Sequence, residues 1–278
     1  MIGRGRAGWI AAIAVAVLGL GVAHAEAPHP WQMYFQAPVS PVADQFHEFH
    51  GMLLVMITLI VLFVLALLLY VIVRFRASAN PVPSKTTHNT LIEVLWTVIP
   101  VLILVVMAVP SFKLLYFVDR AQNADMTIKV TAHQWFWSYE YPDNGNFTFD
   151  SNLVQDADLK PGQLRLFEVD NHVVLPVGAT VRVLVTSTDV MHSWFVPPAG
   201  VQMYAVPGRL NETWVKFERE GTFHGQCNQI CGINHGFMPI EIDAVSKDKF
   251  DQWVAAAQKK FARVDDPAVR VASGDRAQ

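Results

Sequence analysis

Apolar positions along the chain change their period several times. Near the start, an apolar run over residues 9–22 follows Arg4 and Arg6 and precedes Ala23-His24-Ala25. This basic, apolar, small-residue order predicts a secretory signal peptide over residues 1–25, cut before Glu26. Two longer runs follow: residues 51–73 hold 23 positions without a charge, and residues 94–112 hold 19. At about 1.5 Å per helical residue each can cross a hydrocarbon core of about 30 Å, which predicts membrane spans at about 51–73 and 94–116. Pro100 and Pro110 would break a soluble helix, but in lipid neighbouring helices can satisfy the carbonyls they free. The connection between the spans, residues 74–92, has Arg74, Arg76 and Lys85 and no acid. That bias places it in the cytoplasm, and an exported N-terminus demands the same topology. Both the segment from Glu26 and everything after Asp119 are then outside.

Beyond Asp119 the period shortens to two. Partial alternation predicts strands at 126–132, 164–169, 180–186 and 210–217, with Val181, Val183 and Val185 on one face. Turn signals separate them: Pro142-Asp143-Asn144-Gly145, Pro161-Gly162 and Pro207-Gly208. Short strands so spaced fit an all-β antiparallel sandwich. Phe250, Trp253, Val254, Ala257 and Phe261 then return to helical spacing behind Ser246, a candidate N-cap, which predicts an amphipathic C-terminal helix packed on the sandwich. The domain plan is a hairpin segment over 26–118, an external domain over 119–263, and a polar tail over 264–278.

Composition adds one asymmetry. The chain has a net charge of −3. Residues 119–170 carry nine acids against four bases, while residues 171–278 balance at eleven each. The external excess therefore gathers near His133-Gln134-Trp135-Phe136-Trp137-Ser138-Tyr139-Glu140-Tyr141, an aromatic concentration close after the second span. A local acidic bias can steer a basic partner. No nucleic-acid partner is expected. The chain has no C-x-x-C-H, so no c-type haem is expected in it, and no Gly-rich phosphate loop or internal repeat.

Candidate chemistry concentrates in CNQICGINHGFM, residues 227–238, which holds both cysteines of the chain. Cys227, Cys231, His235 and Met238 lie within twelve residues, and Gly232 and Gly236 make the stretch a folded loop rather than a helix. Two thiolates, an imidazole and a thioether favour copper, since polarisable sulfur suits copper, zinc or iron and a thioether adds little for zinc. A second histidine, His192, lies upstream in an apolar stretch. Spacing alone leaves open zinc held by two cysteines and two histidines, and an even cysteine count in an exported chain leaves open a disulfide.

His192-Ser193-Trp194, then PGRLN at 207–211, then C-x3-C-x3-H-x2-M followed by Pro239 together closely resemble subunit II of the haem-copper cytochrome c oxidases, with its binuclear CuA centre. The resemblance covers about residues 31–261. It implies a cupredoxin-like sandwich, with His192 beginning a strand and the cysteine loop between two others. It implies two copper ions bridged by Cys227 and Cys231, with one histidine each from His192 and His235. Met238 would be a weak ligand on one copper and the backbone carbonyl of Gln229 a ligand on the other. Trp135 matches the surface tryptophan through which electrons enter from cytochrome c, and Phe136 stands where relatives often have Tyr. Asp143, Asp170 and Asp189 fall at or near carboxylates that dock cytochrome c lysines, whereas Gly145, Asn146 and Thr188 replace acids seen in some relatives. Glu93 matches an acid at the mouth of a proton pathway into subunit I. Gln229 replaces a common Glu whose carboxylate helps hold Mg or Mn at the subunit I contact, so that site is expected to be weakened or empty.

The implied role is electron transfer from cytochrome c to haem in subunit I, where oxygen is reduced to water with proton translocation. The implied location is a bacterial inner membrane, with the N-terminus and the external domain periplasmic. Two other readings differ in class: a membrane-anchored copper chaperone, which would need a thioredoxin-like βαβ pattern, and a structural zinc or disulfide module. Quinol-oxidising relatives lack the copper ligands, which argues against that variant.

Overall fold

A computed structural model of the chain describes residues 28–119 and 123–261. The expected signal peptide (1–25) and polar tail (264–278) lie outside the described residues. Two long helices come first, α1 (Pro41–Arg74) and α2 (Thr90–Asp119). Both expected spans fall inside them, with extra turns at each end. Their apolar side chains face outward rather than into a protein core, as lipid-facing surface requires. Pro100 and Pro110 sit inside α2 without ending it.

The start of α1 is fastened to the β domain. Pro41 occupies the first helical turn, and Ser40 caps it: its Oγ accepts from the Ala43 amide at 3.0 Å and donates to the Ala199 carbonyl at 2.6 Å. Val39 bonds through its backbone to Pro198 and Glu218. At the end of α2, the Phe117 carbonyl accepts from Trp214 Nε1 at 3.1 Å, and the two rings meet edge to face. Both helices are thus gripped where they leave the apolar slab.

Ten strands form the β domain: β1 (Met126–His133), β2 (Phe136–Tyr141), β3 (Phe147–Ser151), β4 (Val173–Pro176), β5 (Val181–Ser187), β6 (His192–Val196), β7 (Val201–Ala205), β8 (Asn211–Val215), β9 (Gly221–Cys227) and β10 (Pro239–Val245). They make two five-stranded sheets, ordered β3-β2-β1-β5-β8 and β4-β10-β9-β6-β7. Alternation holds strictly on β1, β2 and β5 of the first sheet, where Ile128, Val130, Trp137, Tyr139, Val183 and Val185 point inward. Helix α3 (Lys247–Lys260) closes the domain, with Phe250 and Ala257 buried and Trp253 against Tyr141 and Phe147.

Three expectations need correction. Residues 164–169 are not a strand: Phe167 and Glu168 donate back to the Leu164 carbonyl, Leu166 has φ +67°, and the only ladder contact is an isolated bridge from Val169 to Leu153. Their apolar alternation covers the outer face of the second sheet instead of joining it, with Gln226 Nε2 donating to the Leu166 carbonyl. The sandwich is mixed rather than wholly antiparallel, because β1 pairs β5 and β4 pairs β10 in parallel. The chain crosses from one sheet to the other between those strands, and a crossover brings a strand back in the same direction. Ser246 does precede α3, but its side chain makes no cap bond.

Candidate metal centre

Three strands and one loop bring the cysteine segment together with His192. His192 is the first residue of β6, Cys227 the last of β9, and Trp194 and Cys227 are register partners, so the two side chains start from adjacent strands. The loop after Cys227 then turns back through a 3-10 turn, His235–Phe237, and re-enters the sheet as β10 directly after Met238. A chain that leaves one strand and rejoins its neighbour must fold over itself, which gathers the loop's side chains above the sheet end.

The donor atoms converge. Cys227 Sγ lies 3.9 Å from His192 Nδ1, 3.9 Å from Cys231 Sγ and 3.3 Å from the Gln229 carbonyl oxygen. Cys231 Sγ lies 3.6 Å from His235 Nδ1 and 3.6 Å from Met238 Sδ. Both cysteines are free thiols and buried, as are His192 and Met238. A gap of 3.9 Å is far beyond the roughly 2.05 Å of a disulfide. It still lets one ion reach both sulfurs at metal–thiolate distances of about 2.3 Å. The donor set therefore fits soft metal ions, and it fits the six positions expected of a copper pair, Gln229 contributing its backbone oxygen.

Electrostatics prepare the same atoms. Burial opposes charge on His192, but its bonds to Cys227 and Asp189 outweigh that and raise its pKa. Burial likewise opposes a thiolate at Cys227, but His192 and the backbone around Gln229 and Ser193 hold its pKa below the ordinary thiol value. Cys231 is pushed up to about 12, first by burial and then by the Cys227 sulfur beside it.

Asp189, named from sequence as a docking acid, is built into this centre. Its Oδ1 accepts from His192 Nε2 at 2.8 Å and from the Val190 amide, and its Oδ2 accepts from the Gln134 amide at 2.7 Å. A carboxylate on Nε2 fixes the imidazole tautomer that leaves Nδ1 free to ligate. The spacing Asp-x-x-His was the available signal. Gln134 escaped sequence reasoning altogether: its Nε2 donates to the Cys231 carbonyl at 2.7 Å. Trp135, half-buried, donates to the same oxygen from Nε1 at 3.3 Å. Gly232 makes that approach possible: at φ +125° a Cβ would sit 2.9 Å from the Trp135 ring. Trp137, deeper, donates from Nε1 to the Met238 carbonyl at 3.1 Å.

The other expected residues are dispersed. Asp170 accepts from the Asn152 amide and side chain just past the end of β3. Asp143 accepts from the Thr127 amide in a 3-10 turn after β2, so the six residues of β2, about 20 Å of strand, separate it from Trp135. The three acids do not form one patch around the tryptophan. Glu93 lies in the first turn of α2, where its Oε1 accepts from the Asn89 amide while Asn89 Oδ1 accepts from Ile92, a reciprocal cap. Gln229 lines an open cleft of about 730 Å³ with Asp119, Tyr204, Arg209, Asn211 and Glu212.

Two family profiles match the chain: "Cytochrome C oxidase subunit II, periplasmic domain" over residues 126–245, and "Cytochrome C oxidase subunit II, transmembrane domain" over residues 28–114. A probable cytochrome c oxidase subunit 2 of Rickettsia bellii is 52% identical over 238 residues, which are 86% of this chain and 88% of that one. Cytochrome c oxidase subunit 2 of Phytophthora megasperma is 47% identical over 230 residues, 81% of this chain and 86% of that one. Among solved structures, the periplasmic domain of subunit II of the Bradyrhizobium japonicum cytochrome oxidase is 52% identical, with a TM-score of 0.48, covering 50% of this chain and 98% of that one.

Proposed function

The chain belongs to the cytochrome c oxidase subunit II family and is a two-span electron-transfer subunit of a haem-copper oxidase, and from that premise we propose that residues 192–238 hold a binuclear copper centre fed by cytochrome c. Cys227, Cys231, His192, His235, Met238 and the Gln229 carbonyl would hold the pair, the two thiolates shared between the ions. A copper pair bound there would take up and release one electron at a time. The observation that carries this reading is the approach of two free thiols, two imidazoles and a thioether within 3.6–3.9 Å links, on residues otherwise unrelated in strand and loop.

The chain's own residues keep that arrangement from changing between redox states. Asp189 locks His192, Gln134 and Trp135 pin the Cys231 carbonyl, and Trp137 pins the Met238 carbonyl. Outer contacts of this kind orient ligands and limit rearrangement. Trp135 reaches from the domain surface to the carbonyl of a bridging cysteine, which supports it as the electron entry. Asp170 and Asp143 remain docking acids in this reading, Asp143 acting at a distance. Electrons leave toward haem in subunit I on the periplasmic side of a bacterial membrane, Glu93 stands at a proton entrance, and the magnesium site beside Gln229 is weak. A copper chaperone of thioredoxin type would need a βαβ unit, and the described residues contain none.

The full chain loaded with copper in detergent should bind two coppers and give a mixed-valence paramagnetic spectrum. Cys227→Ser and Cys231→Ser should each abolish that spectrum, and Trp135→Ala should slow reduction by cytochrome c while leaving it intact. One zinc per chain, or a colourless disulfide, would overturn the assignment.

A further inference from the structure

A second group of ligating side chains lies on the outer face of the second sheet, three residues along the strands from the thiol centre. Glu241 and Asp243 alternate with inward Ile240, Ile242 and Ala244 on β10, so both carboxylates point away from the core. Register sets His224 of β9 opposite Glu241 and Thr222 opposite Asp243, and β4 brings His172 alongside, since Val173 pairs with Ile242. The loop that replaced the expected strand at 164–169 lays Glu168 over them.

We propose that Glu168, His172 and Glu241 form a binding site for a divalent ion of the zinc class. One ligand atom from each lies within 4.8 Å of the others. A tetrahedral zinc with bonds of about 2.0–2.1 Å holds its ligand atoms about 3.4 Å apart, a contraction that carboxylate rotamers can supply. Glu168 and Glu241 are buried, 6% and 3% exposed, whereas His172 keeps 32% of its side chain open and provides an entry path.

His172 carries the strongest mark of a ligand. Its Nδ1 lies 2.9 Å from Asp243 Oδ2, Asp243 is held in turn by Thr222 Oγ1 at 2.7 Å, and its Nε2 points to Glu241 Oε2 at 3.3 Å. A carboxylate on one ring nitrogen, with the other aimed at further ligands, is the arrangement that orients metal-bound histidines. Glu168 is fixed by the Leu164 amide and by Gln163 Nε2, and Glu241 by the Val169 amide, leaving lone pairs on each carboxylate. His224 Nε2 lies 3.7 Å from Glu241 Oε1 and adds to the polar border of the cluster.

Charge points the same way. Three carboxylates face two imidazoles, and the cluster resolves the excess by holding protons: burial pushes Glu241 up to about 7, and the surrounding acids outweigh burial to raise His172. A divalent ion competes with protons for these side chains, so acidification weakens its binding.

Cobalt(II) and zinc titrations of the full chain in detergent test this. In a Cys227→Ser/Cys231→Ser background, which removes thiolate ligation, the chain should take one cobalt with d–d absorption and no sulfur charge-transfer band, and zinc should displace it. His172→Gln and Glu241→Gln should each weaken binding at least about tenfold. Repeating the titration on the copper-loaded parent, whose thiolates are occupied, should give the same single equivalent. Should Glu241→Gln misfold, His172→Gln at a partly open position decides alone. Equal affinity in parent and variants, or no cobalt uptake by a chain that melts like the parent, would overturn the site.

Discussion

Asp189 shows how one carboxylate can be read two ways. As a docking acid it would act through long-range charge, but both its oxygens are occupied by His192, Val190 and Gln134. Those partners hold its pKa low despite burial's opposite pull. Asp189→Asn keeps the shape but turns one acceptor into a donor, which cannot serve both His192 and the Gln134 amide. Copper affinity under chelator competition should fall about 10- to 100-fold. An effect confined to the salt dependence of cytochrome c reduction, with copper affinity unchanged, would restore the docking role. Cys227 was visible from sequence because ligand types repeat at short spacing after it, and His192, 35 residues upstream, because it stands in an apolar stretch within the His192-Ser193-Trp194 motif. Their clamp was not, because Gln134 and Asp189 are 55 residues apart and meet only through folding.

At the scale of elements, the β9–β10 pair links both sites. The end of β9 supplies Cys227, and its middle presents His224 across from Glu241. Gly225 lies between them, where a Cβ would fall on the Phe195 carbonyl oxygen of β6. The two strands can lie this close only without a side chain there. Gly225→Ala should therefore push β9 from β6, destabilise the domain by about 2–3 kcal/mol, and separate His192 from Cys227 enough to lower copper stoichiometry. Gly236→Ala, whose Cβ would meet nothing within 4 Å, should leave the melting temperature unchanged. Equal melting of the two variants would show that β6 and β9 tolerate the side chain. Strand identity was legible where burial alternated, as in β1 and β5. It failed at residues 164–169, whose alternating apolar residues satisfy their backbone within a turn and pack onto a sheet they do not join.

The whole molecule couples a lipid-embedded hairpin to a sandwich through Ser40, Phe117 and Trp214. A reporter that works only after export should be silent when inserted at Ser84 and active when fused after α3; the reverse pattern would invert the topology. Lone sequence determined that hairpin, because a membrane span needs only length, lack of charge and an asymmetric loop, all local properties. It also marked β1, β5 and β8 of the first sheet, since a face buried on one side writes a period of two into the chain, but it did not mark β2 and β3, which complete that sheet. The candidate ligands Cys227, Cys231, His235 and Met238 were legible for a related reason: their chemistry is carried by residue type at fixed spacing. Tertiary structure alone decided which strands pair in parallel, which carboxylate grips His192, and that Glu168, His172 and Glu241 meet. The parallel pairings and the second cluster depend on partners brought together across a crossover or from another strand, and although Asp189 lies only three residues before His192, spacing does not say that its side chain turns onto the imidazole; a periodicity records which face a residue uses but not what stands opposite it.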